Sequence, residues 1–275
     1  MSVQITAADV NKLRQQTGAG MMDCRKALVE SDGDLEKAID YLRKKGQKVA
    51  ALRSDRETKE GVVIAKVTAD AKTGVILCLS CETDFVAKNE EFVKFGQTLT
   101  DLALSSGVSS LDELNALPLE GATVADKVNE QVAKIGEKVN LSKFEKVDAA
   151  FVTAYIHGNY RMGVLVGFSN PVDQEVGKDV AMQIAAMNPI AIDAESVPAD
   201  VVAREKEIAV DQVKAEGKPA EMAEKIAAGK IAKFFKESTL LQQAFVKDGN
   251  KTVGDHLKSV SADLKVTAFK RVALG

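Results

Sequence analysis

The chain has 275 residues, of which 45% are hydrophobic and 28% are charged, and its formal net charge at pH 7 is −3. A chain of this length and composition is expected to fold into two or three packed domains, which excludes general disorder. Its slight acidity argues against duplex DNA as a partner, because contacts with phosphates need an excess of lysine and arginine.

Three features of the sequence predict a cytoplasmic protein without membrane association. The chain has only three cysteines, which favours a reducing compartment. It has no apolar run of about 18 residues that could cross a membrane. Its start, Met1–Gln4, lacks the charged and apolar regions of a signal peptide.

Residues 1–46 predict a small module of three helices. The segment Thr6–Asp9 has the spacing of a capping box, with Asp in place of the usual Glu, and Gly18 is expected to end the first helix. Asp34 is expected to cap a third helix that ends at Gly46. The predicted core is as small as that of ubiquitin-associated-type modules, which usually bind partners and do not catalyse.

The loop Thr17–Met22 combines two glycines with two methionines. Met21 and Met22 can pack into the core beside a tight turn, which is the commoner role of methionine. Alternatively, they present an adaptable apolar contact on an exposed backbone. The residues themselves leave both interpretations open.

Residues 47–60 predict a linker with a basic bias. A run of charge of this kind is usually a solvated hinge. No aromatic residue is interleaved with the basic ones, so stacking on single-stranded RNA is poorly supported.

Residues 61–142 predict the first half of an α+β core. Gly61–Ala69 and Val75–Cys81 are expected to form a β-hairpin, followed by helices that include Val124–Val139. Cys78 and Cys81 are three residues apart, so on a strand they point to opposite faces. We therefore expect no metal or redox site at this pair.

The segment Cys81–Asn89 forms a corner between the second strand and a helix. Either Thr83 or Asp84 can cap this helix, because both carry an oxygen that accepts from free amides of a first turn. Phe85 then falls on that turn, where it either folds back into the core or awaits a partner.

Residues 143–275 predict a second half with the same plan. Phe151–Ile156 and Met162–Phe168 form a second hairpin, and Val176–Met187 supplies a helix. Hairpin followed by helix thus occurs twice, although the repeat is weak in sequence.

An insertion at residues 189–236 is rich in alanine, lysine and glutamate. Its two helical stretches flank Gly217–Pro219, and so short a break favours an antiparallel pair. This helical hairpin is compatible with dimerisation and with contact to a partner. Beyond it, strands are expected at Leu240–Val246 and Leu264–Val272, with Thr252 capping a helix between them.

Four motifs occur in one order along the chain. Together they closely resemble the bacterial elongation factor Ts family, the nucleotide exchange factors of the GTPase elongation factor Tu. The resemblance covers nearly all of the chain. The motifs are Thr17–Cys24, Thr83–Lys88, Ala133–Glu137, and Ile156–Gly158 followed by Arg161–Leu165.

The resemblance implies an α+β fold with antiparallel sheets. It implies an N-terminal ubiquitin-associated-like module, a two-part core and an inserted antiparallel coiled-coil hairpin. It also implies that Asp84 and Phe85 reach into the partner GTPase and disturb its Mg²⁺ site, flanked by Thr83 and Val86. Further partner contacts expected on the same ground are Met21, Met22, Arg25, Arg53, Ile135, His157 and Val246.

One departure from the family pattern concerns two arginines. Arg25 and Arg53 stand where some relatives have lysine, which keeps the charge and changes the donor geometry.

Two alternatives to an exchange factor belong to other functional classes. The first is a non-catalytic adaptor that binds a peptide or RNA. The second is an enzyme, which is disfavoured because the two histidines are far apart and no glycine-rich phosphate-binding motif is present. We therefore expect neither an enzymatic activity nor a cofactor.

Overall fold

The structure is a computed structural model that describes residues 4–215 and 220–275. Its fold is α+β, with eleven α-helices and four small sheets in the described residues. In chain order the helices are α1 Ala7–Thr17, α2 Met21–Glu30, α3 Leu35–Leu52, α4 Asp84–Ala87, α5 Glu90–Ser106, α6 Leu111–Ala116, α7 Val124–Ile135, α8 Gln174–Met187, α9 Ala199–Ala215, α10 Ala220–Ser238 and α11 Val253–Val260.

The strands form two three-stranded sheets, β1–β2–β5 and β10–β7–β6, and two short two-stranded ones, β3–β4 and β8–β9. The pairs β3–β4, β6–β7 and β8–β9 are antiparallel. The strands are β1 Glu60–Val67, β2 Thr73–Cys81, β3 Pro118–Leu119, β4 Ala122–Thr123, β5 Val139–Asp148, β6 Phe151–His157, β7 Met162–Phe168, β8 Ala244–Phe245, β9 Asp248–Thr252 and β10 Val266–Ala273.

The chain divides into two compact units. Unit 1 comprises Met1–Ile64, Ile76–Glu145 and Val272–Gly275, and unit 2 comprises Ala65–Val75 and Lys146–Arg271. The N-terminal helices belong to unit 1 together with the first half of the predicted core, except for Ala65–Val75.

The ends of the N-terminal helices follow the predicted capping signals. The Thr6 side chain accepts from the amide of Asp9 in a complete capping box, and Gly18 ends α1 with φ of 67°. Asp34 caps α3 by accepting from the amide of Lys37 at 3.1 Å. These predictions are confirmed, because each depends only on residues close together in sequence. The core that α1–α3 enclose consists of Val10, Leu13, Cys24, Ala27, Leu28, Ala38 and Leu42.

The prediction that α3 ends at Gly46 is wrong, because α3 continues to Leu52. Residues 47–52 of the predicted linker are therefore helical. Gly46 instead allows α3 to approach α7 closely. A Cβ at Gly46 would lie 3.2 Å from the Cβ of Ala133 and 3.2 Å from the carbonyl oxygen of Asn129.

The predicted helix Val124–Val139 is also too long. It ends at Ile135, where Gly136 takes the left-handed conformation with φ of 80°. Val139 instead begins β5, the third strand of the first sheet. This strand could not be predicted from the sequence, because most of its residues are half-buried or exposed, which weakens the alternating pattern.

The first predicted hairpin corresponds to strands β1 and β2, and helix α5 packs on the same sheet. Phe92 and Leu99 of α5 are buried. Between them, Gly96 lies against β1, where a Cβ would be 2.9 Å from Ile64 and 3.2 Å from Val62.

The second hairpin is confirmed, with β6 and β7 paired from Phe151↔Phe168 to His157↔Met162. Helix α8 belongs to the same core as this sheet. Gly177 of α8 lies directly over Thr153 of β6. The core of unit 2 includes Val164, Val166, Phe168, Val180, Ile184, Leu240, Leu257 and Leu264.

Helices α9 and α10 pack on each other through Ala209, Ala227 and Ile231. Lys230 Nζ also donates to Gln212 Oε1 at 3.0 Å. The predicted break at Gly217–Pro219 lies outside the described residues. That the pair forms a coiled coil stays a prediction.

The last segment matches the prediction only in part. Thr252 caps α11 with a complete capping box, as expected. The predicted strand Leu240–Val246 is wrong in extent: it is reduced to β8, because Leu240 lies in a buried turn. Its partner β9 is polar and was missed.

Among the helices of residues 4–215 and 220–275, none combines the length and the apolar character needed to cross a membrane.

Candidate partner-binding site

The corner after β2 is a single helical turn, α4, capped by Thr83. The Thr83 side chain accepts from the amide of Val86 at 3.5 Å. Of the two candidate caps, Thr83 therefore takes that role and Asp84 stands in the first turn. A separate cap at Asn89, which accepts from the amides of Glu91 and Phe92, begins the longer helix α5.

Phe85 lies on this turn with 83% of its surface exposed. The interpretation that it folds back into the core is therefore wrong. Phenylalanine is usually buried, so the exposed ring makes this turn a candidate contact surface.

Thr83 is anchored by the carboxylate of Glu137, just beyond the C-terminus of α7. Its backbone N–H donates to Glu137 Oε2 at 3.0 Å, and its hydroxyl donates to Glu137 Oε1 at 2.8 Å. Carboxylates make strong hydrogen bonds with such donors. The backbone one residue before the turn is thus fixed to a distant part of the chain.

Glu82, the residue before Thr83, is held equally firmly. It accepts from Arg53 Nη1 at 3.0 Å, from Arg56 Nη1 at 2.9 Å and from the backbone N–H of Lys138. Burial alone would raise the pKa of Glu82. The Lys138 amide and the two guanidiniums outweigh it and hold the pKa below its usual range.

Asp84 pairs with Lys88 one turn later, with Lys88 Nζ 2.6 Å from Asp84 Oδ2. This hydrogen bond lowers the pKa of Asp84. Both side chains are solvent-exposed, and exposed pairs of this kind stabilise little. The carboxylate is therefore ionised and accessible to a partner that offers a better cation.

The structure brings Phe85 and Val86 together with Ile135, the apolar residue at the end of α7. All three line one surface cavity of about 330 Å³. The sequence places Ile135 some fifty residues away, so only the fold joins it to the corner. The rest of the lining is Asn89, Glu91, Phe92, Gln131 and Lys134.

Met21 and Met22, on the first turn of α2, are 54% and 75% exposed. The interpretation that they pack into the core is therefore wrong. Together with Arg25 they line a second cavity of about 360 Å³, whose apolar wall includes Ile5 and Val10. Methionine suits such a surface because its unbranched side chain adapts to different partners.

The remaining predicted residues lie in different surroundings. In unit 1, Arg53 is bound to Glu82. In unit 2, the exposed His157 has its Nδ1 2.9 Å from the hydroxyl of Tyr155. Val246, also in unit 2, is 48% exposed and donates its backbone N–H to Gln183 Oε1.

The cysteine pair of β2 lies in the core. Cys78 and Cys81 are both buried and unbridged. Burial, with a contribution from the Glu137 charge, raises the pKa of Cys81 to about 12. In the part of the chain that the structure describes, no group of three or more His, Cys, Asp or Glu side chains is arranged to hold a metal ion.

Exposed apolar side chains on capped and anchored turns are typical of proteins that bind another protein. A family model described as Elongation factor TS matches residues 82–275. Elongation factor Ts of Flavobacterium psychrophilum is 54% identical over 273 residues, covering 98% of this chain and 99% of that relative.

Two further relatives carry the same name. Elongation factor Ts of Christiangramia forsetii is 50% identical over 274 residues, and that of Chloroherpeton thalassium is 43% identical over 285 residues. Each match covers 99% of this chain and 99% of the relative. The chain belongs to the elongation factor Ts family, which confirms the resemblance drawn from its motifs.

Proposed function

We propose that the chain is a guanine nucleotide exchange factor of translation elongation, active in the cytoplasm. It binds elongation factor Tu carrying GDP and promotes release of GDP, so that GTP can bind. The observation that carries this proposal is Phe85, which is 83% exposed on a turn fixed through Thr83. Membership of the elongation factor Ts family supports the identity of the partner.

The proposed target is the Mg²⁺ site of the GTPase. A GTPase holds its nucleotide through backbone amides and through Mg²⁺, which requires near-ideal octahedral geometry. A small displacement of its surroundings therefore weakens the ion sharply. Phe85 acts as an apolar wedge beside this site, and Asp84 brings a negative charge that perturbs the ion.

Exchange of this kind needs no reactive group in the factor itself. The factor must bind the nucleotide-free partner more tightly than the GDP-bound partner. By linkage, GDP and the factor then weaken each other's binding by the same ratio. A surface with exposed apolar and charged side chains suffices for this.

The energetics require more than one residue. Faster GDP release by ~10³–10⁵ corresponds to a barrier lowered by about 4–7 kcal/mol. Burial of one phenylalanine contributes only about 1.5–3 kcal/mol. Further contacts must supply the remainder, and we assign these to Val86, Ile135, Met21, Met22, Arg25, Arg53, His157 and Val246.

The modules that the resemblance implies are part of the same proposal. Helices α1–α3 are assigned as a ubiquitin-associated-like binding module. The core halves at residues 61–142 and 143–275 carry the remaining contacts. The paired helices α9 and α10, within residues 189–236, are assigned as a coiled-coil hairpin. Sedimentation of the chain alone and with its partner tests whether the chain dimerises.

The test is release of fluorescent GDP from elongation factor Tu during a chase with unlabelled GDP, with and without the chain. We expect acceleration of at least about a thousandfold at saturating factor. A stable complex with an unchanged release rate would instead indicate an adaptor. Hydrolysis of nucleotide by the chain alone would indicate an enzyme.

A further inference from the structure

We propose that Glu82 and Glu137 form a carboxylate clamp that positions the turn carrying Phe85, with Glu137 as the principal positioning residue. The inference rests on the proposed exchange function and extends it to residues that do not need to touch the partner. Three segments of unit 1 take part: the end of α3, the corner after β2 that leads into α4, and the loop after α7.

The clamp is reciprocal. Glu137 accepts from the backbone N–H of Thr83, and Glu82 accepts from the backbone N–H of Lys138. Residues 82–83 and 137–138 thus each give a carboxylate to an amide of the other segment. The Thr83 hydroxyl adds a second bond to Glu137, so neither segment can shift without breaking charge-assisted hydrogen bonds.

The end of α3 is joined to the same clamp. Arg53 and Arg56 donate to the two carboxylate oxygens of Glu82. Lys138 Nζ donates to the carbonyl oxygens of Ser54 and Arg56. Arg53 therefore has an internal role, so its substitution is expected to act through the corner even without a direct contact with the partner.

The turn α4 needs this support. It has only four residues, and so short a helix is not stable by itself. None of its residues is buried, and Phe85 is almost fully solvated. The direction of the ring therefore depends on the backbone that flanks the turn, and the clamp fixes this backbone at Thr83.

Loss of the clamp should affect the rate of release more than stability. A turn free to reorient must be ordered during binding, and this costs free energy that a fixed turn does not require. A misplacement of about 1 Å in a positioned group can cost up to about a hundredfold in rate. We expect Glu137→Ala to lower the maximal rate of GDP release roughly tenfold.

The test is a double-mutant cycle on GDP release from elongation factor Tu. Glu137→Ala is measured in the wild-type chain and in Phe85→Ala, at saturating factor. If Glu137 acts through Phe85, the roughly tenfold loss falls to less than about twofold once the ring is absent. A loss of equal size in both backgrounds would overturn the clamp, because it would assign Glu137 an independent effect.

A second variant at Glu137 separates loss of the hydrogen bond from misfolding of the chain. Glu137→Gln keeps one oxygen that can accept from the Thr83 N–H, so it should retain more activity than Glu137→Ala. Equal losses in both variants, with unchanged thermal midpoints, would contradict the proposal.

Amide hydrogen exchange separates this inference from the exchange function. In the free chain, Glu137→Ala should speed exchange of the Thr83 amide at least about tenfold, because its acceptor is gone. Unchanged protection would refute the clamp whatever the chain does to GDP. A wild-type chain that fails to accelerate GDP release would refute the proposed function and leave this measurement decisive for the clamp.

Discussion

Asp84 and Phe85 are neighbours with different physical roles. The ring gains free energy only when a partner covers it, whereas the carboxylate is already paired with Lys88. Under the proposed function, Asp84 therefore matters only where the partner presents a charge, and we propose that this charge is the Mg²⁺ of the nucleotide site.

Asp84→Ala is expected to slow GDP release roughly tenfold at millimolar Mg²⁺, a loss of about 1.4 kcal/mol in barrier lowering. The defect should shrink when a chelator lowers free Mg²⁺, because there is then less ion to displace. The measurement is the release rate of fluorescent GDP across a Mg²⁺ titration.

Asp112→Ala, an exposed acid on α6 with no assigned role, is the matched control and should behave as wild type. A defect of Asp84→Ala that is the same at every Mg²⁺ concentration would remove the metal from its role.

His256 on α11 predicts an acid-sensitive region in unit 2. Its ring stacks on Phe245 at 4.3 Å, and neither ring nitrogen has a hydrogen-bond partner among the described residues. Burial lowers the pKa of His256, helped by the charges of Lys251 and Lys247 and opposed by that of Asp179.

The sign of the pH dependence follows from this lowered pKa. Below the ordinary histidine pKa of about 6.5, the unfolded chain binds a proton that the folded chain resists. The stabilisation from neutral His256 is thus complete above about pH 6.5 and is lost as the pH falls toward the folded pKa. Thermal midpoints should fall accordingly between about pH 7.5 and pH 5.5.

His256→Gln should flatten this dependence, because it removes the titrating ring. A slope that persists in His256→Gln would show that other groups cause it.

Features of the elements that depend on local signals could be predicted from the sequence, whereas features that depend on tertiary contacts could not. Caps such as Thr6, Asp34 and Thr252 were predictable because donor and acceptor lie within three residues. The role of each glycine, in contrast, was not predictable. Gly18 ends α1. Gly46 lies inside α3, where its missing side chain leaves room for α7. Nothing in the local sequence separates these two cases.

Gly177 provides a test of such close packing between a helix and a sheet. In Gly177→Ala, a Cβ would overlap Oγ1 of Thr153 and lie 3.1 Å from its Cβ, and a β-branched neighbour cannot move aside easily. We expect a net destabilisation of about 1–2 kcal/mol, because overpacking outweighs the better helix propensity of alanine.

The matched control is Gly229→Ala in α10, where a Cβ would meet no atom within 4 Å. It should stabilise its helix by about 0.5–1 kcal/mol. Urea unfolding of both variants checks the pair, and a stabilised Gly177→Ala would show that α8 and β6 are not packed this closely.

At the scale of the whole chain, some residues of the proposed site could be identified from motifs. Other residues join the site only through contacts that the fold creates. The segment Thr83–Val86 was identified from its resemblance to a known motif. The residues alone left Phe85 between core and surface, because an aromatic residue after a strand is compatible with both. The bonds of Glu137 and Arg53 could not be predicted, because their partners lie 54 and 29 residues away.

The exchange proposal depends on the partner covering the ring of Phe85. The most direct measurement compares wild type, Phe85→Ala and Val260→Ala, an exposed apolar control in unit 2, in release of fluorescent GDP from elongation factor Tu. Burial worth about 1.5–3 kcal/mol predicts that Phe85→Ala is ~10–100 times slower than wild type, with an unchanged thermal midpoint. Val260→Ala should match wild type, and a Phe85→Ala chain that also matches wild type would contradict the wedge.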